Sequence, residues 1–229
     1  MFDLHGYGPS ILQGTLLTIE VSLASLAISM FLGILGALAK LSPSRPLQLA
    51  AQTYTTIIRG IPDLVLMLLV FFGGQVLINQ AAPLFGYEDY IDINPFMAGV
   101  STIGFIFGAY MTETFRGAIL AVPRGQIEAA YAYGMRRGQT FFRILLPQMI
   151  RHAIPGFGNN WLVLIKTTAL VSIIGLDDMV RKAALAAGAT RMPFTFYIVV
   201  AVNYLIITSI SVTALKWLEE RYSVGVIRA

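Results

Sequence analysis

Phe194-Thr-Phe-Tyr-Ile-Val-Val-Ala-Val-Asn-Tyr-Leu-Ile-Ile-Thr-Ser-Ile-Ser-Val-Thr-Ala-Leu215 carries no charged residue. A helix needs roughly 20 mostly apolar residues to cross a bilayer, so this stretch predicts a transmembrane helix. Four more runs come into view on moving back toward the N-terminus. Ile154 to Leu176 contains Lys166, Phe96 to Phe115 has Glu113 near its end, and Ile61 to Ile78 has Asp63 near its start. Ile11 to Ala39 is broken by Glu20, and its early part, rich in Gly, Thr and Gln, leaves room for two elements rather than one. The expectation is an all-α membrane protein of about five transmembrane helices, in a single domain over residues 1–229.

Composition agrees. The chain is 56% hydrophobic and 12% charged, against about 25% charge in soluble domains, so its skin is expected to face lipid. Without Cys, disulfides, thiolate chemistry and Cys-based zinc sites are excluded. His5 and His152 are too far apart in sequence to suggest a metal site. The first apolar run is too long for a signal-peptide core and reads as a retained helix.

The net charge of +4 follows from where Lys and Arg sit relative to the membrane, so nucleic acid is not an expected partner. The connection after the first span holds Lys40, Arg45 and Arg59. The one after the third holds Arg116, Arg124, Arg136, Arg137, Arg143 and Arg151, and the tail holds Lys216, Arg221 and Arg228. The connection after the second span holds only acids, Glu88, Asp89 and Asp92. The positive-inside rule then predicts an external N-terminus and a cytoplasmic C-terminus. One connection dissents: Arg181, Lys182 and Arg191 against Asp177 and Asp178 on the outside.

The third connection is too long for a simple loop. It reads Val122-Pro-Arg-Gly-Gln-Ile-Glu-Ala-Ala-Tyr-Ala-Tyr-Gly-Met-Arg-Arg-Gly-Gln-Thr-Phe-Phe-Arg-Ile-Leu-Leu-Pro147. Ile127, Ala130, Tyr131 and Gly134 fall at helical spacing. Gly134 and Gly138 are expected to break the helix, and Pro147 to mark the next element. The product is a basic helix–turn–helix knob suited to a groove on a partner.

These residues carry a resemblance. Glu128-Ala129-Ala130, then Gly134, then Ile144, Leu146 and Pro147 match the EAA signature of binding-protein-dependent ABC permeases. Arg59-Gly60-Ile61-Pro62, Gly108-Ala109-Tyr110 with Glu113 and Arg116, Val122 to Gln126, Asn159, Lys166 and Leu218 to Tyr222 resemble the polar amino acid subfamily. The resemblance implies a type I importer permease fold in the bacterial cytoplasmic (inner) membrane, with residues 120–150 as its cytoplasmic coupling loop. The implied partners are an ATPase dimer that binds ATP and Mg, a second permease subunit (homologous or identical) and an extracytoplasmic binding protein. The implied cargo is a basic amino acid (histidine, arginine, lysine or ornithine) or a related opine.

No Walker A pattern occurs, so no ATP site, cofactor or catalytic residue is expected in this chain. Charges inside spans are functional candidates. Arg59 with Asp63, and Glu113 with Arg116, are spaced for ion pairs or gate contacts. Lys166 can snorkel, pair with Glu20 or Glu113, or meet a substrate carboxylate. Asn159, Asn160, Trp161, Lys166, Thr167, Thr168 and Ser172 form a polar run that could line a path or bridge helices. Where relatives carry acids after Asn159 and Lys166, this chain has Asn160 and Thr167. The alternative reading is a proton-coupled secondary carrier using Glu20, Asp63 and Glu113, against which stands the lack of evident repeats.

Overall fold

The computed structural model describes residues 4–87 and 89–222. Glu88 and Arg228, which count toward the expected orientation, lie outside the described residues. Helix α1, Gly8–Leu41, leads by a short turn to α2, Arg45–Gly60. Ile61 and Pro62 break the chain before α3, Asp63–Leu68, which passes through a wide π turn at Leu69–Gly73 into α4, Gly74–Ala81. Then come α5, Pro95–Leu120, and the short helices α6, Arg124–Ala132, and α7, Arg137–Thr140. A second π turn, Phe141–Leu145, joins α7 to α8, Leu146–Thr167, which tightens into a 3₁₀ turn at Thr168–Ser172. Helices α9, Met179–Thr190, and α10, Pro193–Tyr222, complete the fold.

The centre is the parallel pair α1 and α5, whose contacts run in step from Ser25 with Val100 to Lys40 with Glu113. Ser22, Ser25, Ser29, Gly33 and Gly36 form a buried small-residue stripe on α1. In lipid, helices associate by close packing and hydrogen bonds, so small residues at a seam let backbones approach. At Gly36 any Cβ would collide with the Thr112 side chain of α5. Ser25 Oγ donates to the Val100 carbonyl across the seam at 3.2 Å. Above the seam, Ile103, Ile106 and Phe107 of α5 pack with Ile58, Leu66, Met67 and Leu164 from three other helices.

Several expectations change. The first span is one unbroken helix. Its early Thr residues turn their hydroxyls back onto the chain: Thr15 to Ile11 O at 2.8 Å and Thr18 to Gly14 O at 2.9 Å. The expected loop after it is an amphipathic helix, α2, which buries Ala51, Thr55 and Ile58. Gly138 lies inside α7 rather than at a break. Pro147 does mark the next element: it sits in the first turn of α8, where a proline's missing N–H is tolerated, directly after the π turn.

Among the described residues four helical segments are long and apolar enough to cross a membrane: Gly8–Leu41, Asp63–Phe85, Pro95–Leu120 and Pro193–Tyr222. The predicted fourth span begins earlier than expected, at Leu146. Its 22 residues reach about 33 Å, but Arg151, Asn159, Asn160 and Lys166 lower its apolarity. On α10, Leu205, Ile206 and Ile210 stay more than half exposed, as expected of a surface that meets lipid or another subunit.

Candidate functional site

The knob is built around the turn at Gly134, between α6 and α7. α6 ends where Gly134 takes a left-handed φ of 78°. There Met135 N donates to Ala130 O at 3.0 Å and Gly134 N to Tyr131 O at 2.9 Å, the paired closure of a Schellman motif. α7 starts with Arg136 N donating to Gln139 Oε1 at 2.9 Å. α6 packs chiefly against α7 and the π turn that follows it.

Of the EAA residues, Glu128, Ala129, Gly134 and Pro147 are exposed, Ala130 is buried, and Ile144 and Leu146 are half-buried. Tyr133 is 88% exposed and Phe142 68%. Ile127, Tyr131, Thr140, Phe141 and Leu145 line a mostly apolar groove of about 450 Å³ between α6 and α7. The knob therefore shows exposed aromatic surface and a groove, and α8 continues from it without a break.

Glu113 is the hub of a charged cluster. Its Oε2 accepts from Arg116 at 3.0 Å, as the i, i+3 spacing predicts. Its Oε1 pairs with Lys40, whose side chain is only 6% exposed. Lys40 also donates to Gln52 Oε1 at 2.8 Å and Thr55 Oγ1 at 2.6 Å, so one ammonium ties α1, α2 and α5 together. Sequence reasoning counted Lys40 as an orientation charge only. The missed signal was a Lys closing a long apolar helix, followed by an amphipathic one.

The predicted Arg59–Asp63 ion pair is not formed. The i, i+4 rule needs a continuous helix, and the break at Ile61 and Pro62 separates the partners. Arg59 instead lies over the Tyr110 ring, 5.5 Å from its centroid.

The polar run on α8 divides. Asn160 donates to Thr114 Oγ1 of α5 at 3.0 Å, an interhelical bond. Thr167, Thr168 and Ser172 return their hydroxyls to carbonyls of their own segment. Trp161 packs against the core. Asn159 and Lys166 are exposed, and Lys166 pairs with neither Glu20 nor Glu113. The run is thus partly structural, with Asn159 and Lys166 open to a partner or a cavity.

At the opposite end of the bundle from the knob, Asp177 pairs with Lys182 at 2.9 Å and Arg181 at 3.1 Å. Hydrogen bonding from Lys182 first, then the nearby Arg181, hold the Asp177 carboxyl below the usual range. Asp178 caps α9, its Oδ1 accepting from Arg181 N at 2.9 Å. It is fully buried, its Oδ2 has no partner, and burial pushes its carboxyl up to about 6. Among the described residues no group of His, Asp and Glu could hold a metal ion.

The family model for binding-protein-dependent transport system inner membrane components matches residues 29–224. The histidine/lysine/arginine/ornithine transport system permease protein HisQ of Escherichia coli (strain K12) is 52% identical over 226 residues, covering 99% of both chains. The octopine transport system permease protein OccQ of Rhizobium meliloti is 43% identical, covering 99% of this chain and 96% of its own. Among solved structures, one described as an amino acid ABC transporter with histidines is 33% identical, with a TM-score of 0.80 over 94% of this chain and 95% of its own. The MetNI methionine ABC transporter shares the fold at 16% identity, with a TM-score of 0.67 over 93% and 94%. The chain belongs to the family of binding-protein-dependent transport system inner membrane components.

Proposed function

We propose that this chain is the permease half of an ATP-driven importer of basic amino acids or opines, coupled to its motor through the α6–α7 knob. The observation that carries the coupling assignment is the knob itself. Its aromatic surface and apolar groove coincide with the EAA residues Glu128, Ala129, Ala130 and Gly134. An ATPase surface that seats there moves α8 directly, because the π turn leaves no flexible linker between them. Ile144, Leu146 and Pro147 form that junction. A nucleotide can drive this motion only by binding one state of the ATPase more tightly than another.

The orientation that fits places the N-terminus outside and the knob in the cytoplasm of a bacterial inner membrane. The dissenting charges weigh less against it because Asp177 pairs with both Arg181 and Lys182. The exposed apolar faces of α3–α4 and α10 leave room for lipid and for a second permease, homologous or identical. An extracytoplasmic binding protein delivers the cargo, and ATP and Mg stay with the ATPase dimer. Basic cargo is the reading drawn from relatives such as HisQ and OccQ. The proton-coupled alternative loses one of its three sites, because Glu113 is engaged by two cations.

The test is uptake of radiolabelled L-arginine, L-histidine and octopine by proteoliposomes holding the chain, its partner permease and its ATPase, with binding protein and ATP. ATP-dependent uptake of at least one is expected. Uptake that persists on a proton gradient without the ATPase would overturn the reading.

A further inference from the structure

The polar face of α2 faces α5 across an open groove. Gln52, Thr56 and Arg59 from α2 and Tyr110 and Glu113 from α5 line about 350 Å³ of it. Through Gln52 the groove runs on into a second cavity of about 500 Å³ beside Arg45 and Arg116, toward the knob end of the bundle. Arg59 sits at the level of Tyr110. Ten residues of α5 below that level place it about 15 Å from the helix end, within the span of a helix read as transmembrane. A permanent charge at such depth faces a water-filled cavity or a protein partner rather than lipid.

The charge balance of the groove is uneven. Both oxygens of Glu113 are engaged, one by Lys40 and one by Arg116. Among the described residues Arg59 makes no ion pair and no hydrogen bond, and its guanidinium lies over the Tyr110 ring. Asp63 likewise forms no ion pair, yet it lies within electrostatic reach of the same ring. The groove therefore offers a fork of N–H donors with no anionic partner among the described residues, and the Asp63 carboxylate lies nearby. A guanidinium fork matches a carboxylate in bidentate fashion. An α-amino acid carries the complementary pair, a carboxylate and an ammonium on one carbon.

We propose that this groove is a carboxylate-reading subsite on the exit side of the path, with Arg59 holding the α-carboxylate of the transported amino acid. It rests on the reading of the chain as an amino acid importer. The ring of Tyr110 positions Arg59, and Asp63 balances the substrate's ammonium. Such a station shortens the stretch over which a zwitterion travels without polar partners. It must also hold its occupant loosely enough to release it.

The chain has no Cys, so a single Thr56→Cys places one thiol in the groove. The experiment uses the complete transporter in proteoliposomes, the other subunits freed of reactive thiols, in a T56C form that still takes up L-arginine. A water-soluble maleimide is applied at the knob side with excess L-arginine or with agmatine, its analogue lacking the carboxylate. L-Arginine is expected to slow labelling several-fold and agmatine not to. Adding R59Q should abolish the protection, and R59K, which keeps the charge but loses the fork, should retain part of it. R59Q should also lower maximal uptake more than it raises the half-saturating concentration, which the binding protein sets. Labelling unchanged by L-arginine in a transporter that imports it overturns the subsite and leaves the importer reading standing. Equal protection by agmatine, or protection that survives R59Q, also overturns it. Failure of the parent transporter to import L-arginine, L-histidine or octopine overturns the importer reading, and the subsite with it.

Discussion

Glu113→Gln is the substitution whose cost follows most directly from the structure. The amide keeps the shape of the side chain and removes its charge. Lys40, 6% exposed, then stays buried with only neutral acceptors, Gln52 and Thr55. Arg116 is 37% exposed and regains water, so its loss counts for little. Two unit charges near contact attract by roughly 4 kcal/mol at an effective dielectric of about 20. Removing one partner of a buried pair costs about 3–5 kcal/mol. Because Glu113 is itself 23% exposed and Lys40 keeps two acceptors, the lower end applies, about 3 kcal/mol. Lys40→Met costs less, since Glu113 keeps Arg116. The double variant leaves no buried unpaired ammonium, so its cost should fall at least about 1.5 kcal/mol below the sum of the singles. Denaturant unfolding of the purified complex in mixed micelles measures all three, with the core-packed Trp161 as fluorescent probe. A Glu113→Gln variant within about 1 kcal/mol of the parent, or strictly additive singles, would show that Lys40 does not depend on this carboxylate.

Gly134→Val forces a β-branched residue into a left-handed turn, at a cost of about 1–2 kcal/mol. It is expected to abolish copurification with the ATPase while membrane insertion continues, whereas Gly134→Asn, which tolerates that conformation, should retain binding. Asp178 gives a pH effect of defined sign. Its folded value, about 6, lies above the unfolded one, so the stability it contributes is fully present below about pH 4 and is lost as pH rises through 6. The temperature of thermal unfolding should therefore rise from pH 8 to pH 5, the change corresponding to roughly 1.4 kcal/mol, about half of the full shift. Asp178→Asn, which keeps the capping oxygen, should flatten the profile; an unchanged slope would refute the assignment. A topology reporter fused at Ile91 should read as external and one at Gln139 as cytoplasmic, and the reverse would overturn the orientation.

The spans and the knob were legible because each depends on local pattern. Phe194 to Leu215 needs only length and apolarity, and Gly134 only its place after a helical stripe. What escaped the sequence depends on where the chain turns. Arg59 and Asp63 look like an i, i+4 pair until Ile61 and Pro62 end one helix and begin another. α2 read as a connector because its apolar face is narrow and its mean character polar. The role of Lys40 could not be read from sequence, since its carboxylate lies 73 positions away. The polar run on α8 misled in part for a different reason. Thr and Ser in helices satisfy themselves on carbonyls within a turn, so Thr167, Thr168 and Ser172 leave little hydrogen-bonding capacity for a cargo.

The first half of α1 finds its partners late. Thr18 Oγ1 accepts from Met179 N, 161 residues on, and Thr15 Oγ1 accepts from Asn203, 188 residues on. Gly14 lies hard against the backbone of Asp178. During synthesis, then, the first helix to enter the bilayer waits for the last two before its N-terminal end is packed. Until then only hydroxyl bonds within the helix cover those Thr side chains. Truncation after α8 would leave that end bare, so a nascent chain stalled there presents a recognisable unfinished face to the insertion and quality-control machinery of the membrane.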